Sequence, residues 1–180
     1  MPAALLTAAD LPHVRIPNKW TELVRGQLVV CEPPGALHGY VAVRLAARLV
    51  QHVEAKDLGA VFAAETGFKL FSDPDTVRAP DVAFVSNARL PHPLPSGYPA
   101  IAPDLAVEVL SPGDRPGEML AKVADWLEAG STLVWVTDPV RRVARAYRAD
   151  GSDATITETG VLAGENVLPG FECALASILG

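Results

Sequence analysis

The chain has 180 residues, 49% of them hydrophobic and 20% charged, enough to bury a substantial core in a single domain expected to span 1–180, with an irregular leader over 1–18. A formal net charge of −6 leaves no global basic footprint, which argues against a nonspecific, high-affinity DNA binder; nucleic acid could be met only through a local patch or a bound cation. Residues 1–9 lack the positive leading region of a signal peptide, and no apolar run could span a bilayer, so a cytoplasmic protein without membrane association is expected.

After the leader, Trp20–Val24 and Gln27–Cys31 read as two strands joined at Arg25-Gly26, with Glu22 alternating with Trp20 and Val24. Pro33-Pro34-Gly35 stops that hairpin. Val41, Ala42, Leu45, Ala46, Leu49 and Val53 then recur at helical spacing to about Lys56, which predicts an amphipathic helix. His38 falls in its first turn, on the face of Ala42, Leu45 and Leu49, either as a hydrogen-bonded core histidine or as a catalyst. Residues 60–71 are β-rich around Glu65-Thr66-Gly67, as one bent strand or a tight pair, and residues 77–85 resume strand character around Pro80-Asp81. Pro91, Pro93, Pro95 and Pro99 predict a stiff, extended surface connector.

Residues 103–130 carry the sharpest puzzle. Residues 104–110 are apolar at both parities, the pattern of a strand covered on both faces, yet Glu108 sits in the middle. An unpartnered buried carboxylate costs several kcal/mol or more, so Glu108 must be protonated, paired or ligating a metal. Asp114 is expected to cap the following helix, which has Pro116 in its first turn, one face formed by Met119, Leu120, Val123 and Leu127, Lys122 at the edge beside Trp126, and Gly130 at its end. Another strand covers 132–137, and residues 143–148 and 154–157 flank the hairpin signal Asp150-Gly151. The predicted order is β-β-α-β-β-β-α-β-β-β with a short C-terminal piece over 168–179, a mixed sheet with helices packed against it.

Three acids, Glu65, Asp81 and Glu108, interrupt apolar strands. Converging at strand ends they would suit a hard divalent cation, since Mg²⁺ is held by one or two carboxylates plus water and substrate phosphate; separately, each would be an edge or salt-bridged carboxylate. Lys122 either snorkels to water or joins such a site. Arg141, Arg142, Arg145 and Arg148 form the densest basic cluster, either a solvated hairpin face or a phosphate-contacting patch. Trp126 and Trp135 are expected in the core. Cys31 and Cys173, lacking metal-ligand spacing, are read as two small buried hydrophobes. No phosphate-binding glycine loop, zinc set or nucleophile elbow is present.

Several separated motifs together resemble the Uma-two family of restriction-endonuclease-like proteins. They are the run from Glu22 to Val29, His38 opening a helix, Pro80-Asp81-Val82-Ala83, the run from Pro103 to Pro112, Lys122, and Trp135-Val136-Thr137-Asp138-Pro139. The resemblance implies an α/β restriction-endonuclease-like core, a central mixed β-sheet flanked by α-helices, with an N-terminal β-hairpin. It also implies Mg²⁺- or Mn²⁺-dependent hydrolysis of DNA phosphodiester bonds. Carried over, it makes Asp81 and Glu108 the metal ligands. Glu65 matches a commonly acidic position, and Glu22 and His38 match positions whose roles the resemblance leaves open. Leu110 stands where the general motif has its lysine, and Lys122, from the next helix, takes that role instead. A nuclease-fold protein that no longer cuts, binding nucleic acid or a protein partner, is the alternative, and a structural module whose acids merely pair with Arg or Lys is a third. A homodimer is expected from apolar area on the first long helix and the C-terminal strands.

Overall fold

A computed structural model describes residues 5–180; the first four residues, part of the predicted leader and of the stretch read for a signal sequence, lie outside the described residues. β1 (Trp20–Val24) and β2 (Gln27–Cys31) form the expected hairpin. Its turn residues Arg25 and Gly26 both hold positive φ, 50° and 75°, the twist a two-residue hairpin turn requires. With β5 (Thr76–Arg78) and β4 (Phe68–Phe71) the hairpin builds a four-stranded antiparallel sheet in the order β2-β1-β5-β4. From the leader, a 3-10 turn at Leu11–His13 buries Leu11 against Leu23 and Val77 of that sheet.

The central sheet has six strands in the order β10-β9-β8-β7-β6-β3, where β3 is Gly59–Ala63, β6 Val82–Ser86, β7 Leu105–Val109, β8 Leu133–Asp138, β9 Val143–Arg148 and β10 Asp153–Thr157. It is mixed: β7 and β8 run parallel across α2 (Pro116–Glu128), and the other neighbours are antiparallel. Strand parity sorts side chains between two cores. Val82, Phe84, Leu105, Val107 and Trp135 face α1 (Ala36–Lys56), α3 (Ala176–Leu179) and the small β11–β12 pair (Val161–Ala163 and Glu172–Ala174). Ala83, Val85, Ala106, Val134 and Val136 form the other core with Phe68 and with Val123 and Trp126 of α2. Glu108 shares the parity of Ala106, so β7 aims its carboxylate toward α2.

Several expectations are corrected. Residues 60–71 are neither one bent strand nor a tight pair: β3 and β4 belong to different sheets. The run 77–85 is likewise two strands, because Pro80 cannot donate to a ladder and Ala79-Pro80-Asp81 carries the chain from the four-stranded to the six-stranded sheet. Asp114 does not cap α2; its Oδ2 accepts from the Ser111 amide at 2.7 Å and closes the preceding turn, leaving Arg115 at the N-cap without a side-chain bond. Leu120 is 51% exposed, since α2 turns Met119, Val123 and the larger Trp126 inward. On α1 the core face is Val41, Leu45, Leu49 and Val53, and His38 continues that face into the first turn, where it meets the cavity instead of the apolar core. The C-terminal strands, expected to offer apolar area outward, bury Leu162 and Cys173 and leave Val161 exposed. Cys31 is only half-buried.

Candidate active site

The site forms where the chain crosses between sheets. The crossing backbone is held by side chains. Ala79 donates its N–H to Glu22 Oε1 at 2.9 Å, the Ala79 carbonyl accepts from Lys122 Nζ at 2.9 Å, and Asp81 Oδ2 accepts the Val109 amide at 2.6 Å. The Asp81 amide in turn donates to the Val107 carbonyl at 2.9 Å. Asp81 is thereby fixed to β7 one residue from Glu108.

Glu108 is 3% exposed and both of its oxygens are engaged. Oε2 accepts from Lys122 Nζ at 2.9 Å and Oε1 from the Trp126 indole N–H at 2.9 Å. Lys122 Nζ also lies 3.1 Å from Glu22 Oε1. Glu22 Oε2 accepts from Arg78 Nη1 at 2.9 Å, and Arg78 Nε and Nη2 donate to Asp125 Oδ2 at 2.9 and 2.7 Å. His38 Nε2 sits 3.1 Å from Asp81 Oδ2, while its Nδ1 is buried without a partner among the described residues.

The electrostatics follow from this packing. Burial, with the charges of Asp81 and Glu22 added, outweighs Lys122 and pushes the Glu108 carboxyl up to about 7. Burial alone would lower the Lys122 ammonium, but Glu108 and Glu22 hold it above its ordinary value, so it is charged. Burial would raise Glu22, yet Lys122 and Arg78 keep it below the usual glutamate range. Desolvation would lower His38, but its bond to Asp81 together with the charges of Asp81, Asp114 and Glu108 raises it. The Cys31 thiol is pushed up to about 11 by burial and is no nucleophile.

Glu22, His38, Glu65, Asp81 and Lys122 line one cavity of about 370 Å³, walled on the α1 side by Gly39, Ala42 and Ala46. Glu108 is not in its wall and lies behind Lys122. Glu65 stays on the rim, exposed, on the β3–β4 turn with φ 68°. Thus the structure brings together Glu22, His38, Asp81, Glu108 and Lys122 and leaves Glu65 outside the bonded cluster. Sequence reading missed Arg78 and Asp125 and gave Trp126 only a packing role. Arg78 carried a usable signal, a charge interrupting an apolar run, and Asp125 lies three residues from Lys122 on the same helix. The basic cluster is largely neutralised: Arg142 pairs with Glu158, Arg145 with Asp153 and Arg148 with Glu165, which removes the phosphate-patch reading for these three.

Among the described residues no set of three His, Cys, Asp or Glu side chains converges as a ready metal cage. The donor set nonetheless fits Mg²⁺, which needs only one or two carboxylates and completes its shell with water and substrate. Among the described residues, Asp81 Oδ1 has no hydrogen-bond partner. Moreover, with Glu108 ionised, four carboxyls, Glu22, Asp81, Glu108 and Asp125, face two permanent cations, Arg78 and Lys122, and the titratable His38, a deficit that a divalent cation would fill.

A family model described as "Putative restriction endonuclease", Uma2, matches residues 10–176. In fold the chain is similar to a crystal structure described as a putative nuclease belonging to DUF820 from Anabaena variabilis ATCC 29413, with a TM-score of 0.82, 17% sequence identity and 97% of each chain covered. No curated protein matches. Among the described residues, no helix is long and apolar enough to cross a membrane.

Proposed function

The chain belongs to the Uma2 family of restriction-endonuclease-like proteins, and on that premise we propose that it is a cytoplasmic, Mg²⁺- or Mn²⁺-dependent endonuclease hydrolysing DNA phosphodiester bonds as a homodimer. The observation that carries this reading is the junction of Asp81, Glu108 and Lys122 beside one cavity, within a cluster short of positive charge. Asp81 would hold the cation through its open oxygen, joined by Glu108 once that carboxylate is released from Lys122, with Glu65 on the rim as a further candidate ligand. A divalent cation held there supplies positive charge at the scissile phosphate and acidifies the attacking water.

The chain's own residues do the rest. Lys122 donates to Ala79 O and to Glu108 and is ion-paired with Glu22. Release of Glu108 frees one N–H for the phosphate, where it stabilises the charge that develops. His38 orients Asp81 from 3.1 Å. Purified protein incubated with plasmid DNA and Mg²⁺ or Mn²⁺ should nick or linearise it, and Asp81→Ala and Glu108→Ala should each lower the rate by at least roughly a hundredfold. Equal cleavage by wild type and both variants would refute the assignment.

A second reading is favoured by one observation: Glu108 is already neutralised by Lys122 and Trp126. On that reading the chain is a nuclease-fold module that binds nucleic acid or a protein partner and does not cut. Calorimetry separates the two. Mn²⁺ heat that disappears in Asp81→Ala supports the nuclease; no such heat, together with retained DNA association, supports the binding module.

A further inference from the structure

We infer that Arg78 and Asp125 are positioning residues for Lys122, acting through Glu22, so that the lysine keeps its place when Glu108 turns to another partner. The inference rests on the nuclease reading. Lys122 projects from a helix, not from the strand that carries Glu108, so β7 geometry cannot aim it. Of its three partners two are independent of Glu108: the Ala79 carbonyl, which accepts at 2.9 Å, and Glu22 Oε1, an ion pair at 3.1 Å. Glu22 can serve only while its own carboxylate is fixed. Its Oε1 also receives the Ala79 amide, and its Oε2 receives Arg78 Nη1, each at 2.9 Å.

Arg78 is fixed in turn by two bonds to Asp125 Oδ2. Asp125 stands three residues after Lys122 on α2, so the chain Lys122, Glu22, Arg78, Asp125 closes on the helix it started from. It links β1, β5 and α2 in one ring. Glu22, Arg78 and Asp125 are each 8% exposed or less, and water therefore screens these pairs little. The ring also needs a fork. A guanidinium can bond two carboxylates along fixed directions, whereas an ammonium on a flexible stem is a point charge. A ring that only welded the four-stranded sheet to α2 would raise stability without governing where Lys122 sits.

Arg78→Lys keeps the charge and Asp125→Asn removes it while keeping the side chain's shape, and together they test the two roles. In crystal structures of these variants Lys122 Nζ is expected to lose its contact with Glu22, while circular dichroism remains that of the wild type. In the cleavage assay kcat should fall roughly 10- to 100-fold with KM little changed, because the freed N–H is no longer aimed at the phosphate. In a Glu22→Gln background Asp125→Asn should cost nothing further, since its path to Lys122 is already cut. Lys122 found unmoved on Glu22 and Ala79 in both variants, or losses that multiply in the double variant, would overturn the inference. If the wild type cleaves nothing, the nuclease reading has failed, and the position of Lys122 in the variant crystals still decides the ring's role.

Discussion

Glu108 is the residue on which burial and charge oppose each other most directly. Its folded-state carboxyl is pushed up to about 7 from an ordinary value of 4.5, so between those two pH values the folded protein binds more protons than the unfolded chain. Stability must then fall as pH rises through that window. His38 acts with the same sign: a histidine raised by Asp81 contributes stability below its unfolded value that is lost as pH climbs through the folded one. Glu22, held low, acts oppositely, and only toward acid, where its contribution disappears. The metal-free protein should therefore melt at a lower temperature at pH 8 than at pH 5.5, and Glu108→Gln should flatten the profile; a wild-type profile that rises over this range would contradict the balance of charges described. Glu108 and Asp81 were visible in the sequence for one physical reason, a charge where an apolar residue is otherwise required, whereas Lys122, at the edge of its helix face, entered through the family resemblance. Arg78 carries the same kind of signal as Glu108 and Asp81, but its partner Asp125 is reached by a pairing across 47 residues that no local pattern records. The alternation of Glu22 with Trp20 and Val24 says nothing about the helix that covers it.

At the scale of elements, the crossing at Ala79-Pro80-Asp81 does the work that a continuous strand cannot. It ends one sheet, begins another, and leaves backbone groups that only site side chains satisfy. Its apolar pattern runs on through Pro80, so periodicity alone read one strand where there are two. The long helix α1 and the first hairpin were legible because their patterns extend over many residues and end in recognisable turns. β11 and β12 were not, each having three residues with a single buried side chain, Leu162 or Cys173, too short for any period. α1 also carries Leu37, Tyr40 and Val43 at 45%, 43% and 62% exposure, apolar area left for the proposed homodimer once the C-terminal strands have buried Leu162 and Cys173. Light scattering should give twice the chain mass for the wild type and a smaller mass for Val43→Glu, which places a charge on that face. A wild type that stays monomeric at every concentration would remove the dimer from the proposal.

For the whole molecule, a net charge of −6 and arginines already paired with acids mean that the surface has little to draw DNA in by itself. On the proposed reading, attraction at the site comes from a cation held by carboxylates. The family membership and fold similarity supply the setting, and the charge deficit around Asp81 and Glu108 supplies the physical reason. The most direct measurement is a crystal structure with Mn²⁺, read by its anomalous signal. The account predicts an ion against Asp81, with Glu108 turned toward it and Lys122 still held by Glu22 and Ala79. Saturating Mn²⁺ with no signal at Asp81, and with Glu108 still bonded to both Lys122 and Trp126, would contradict it.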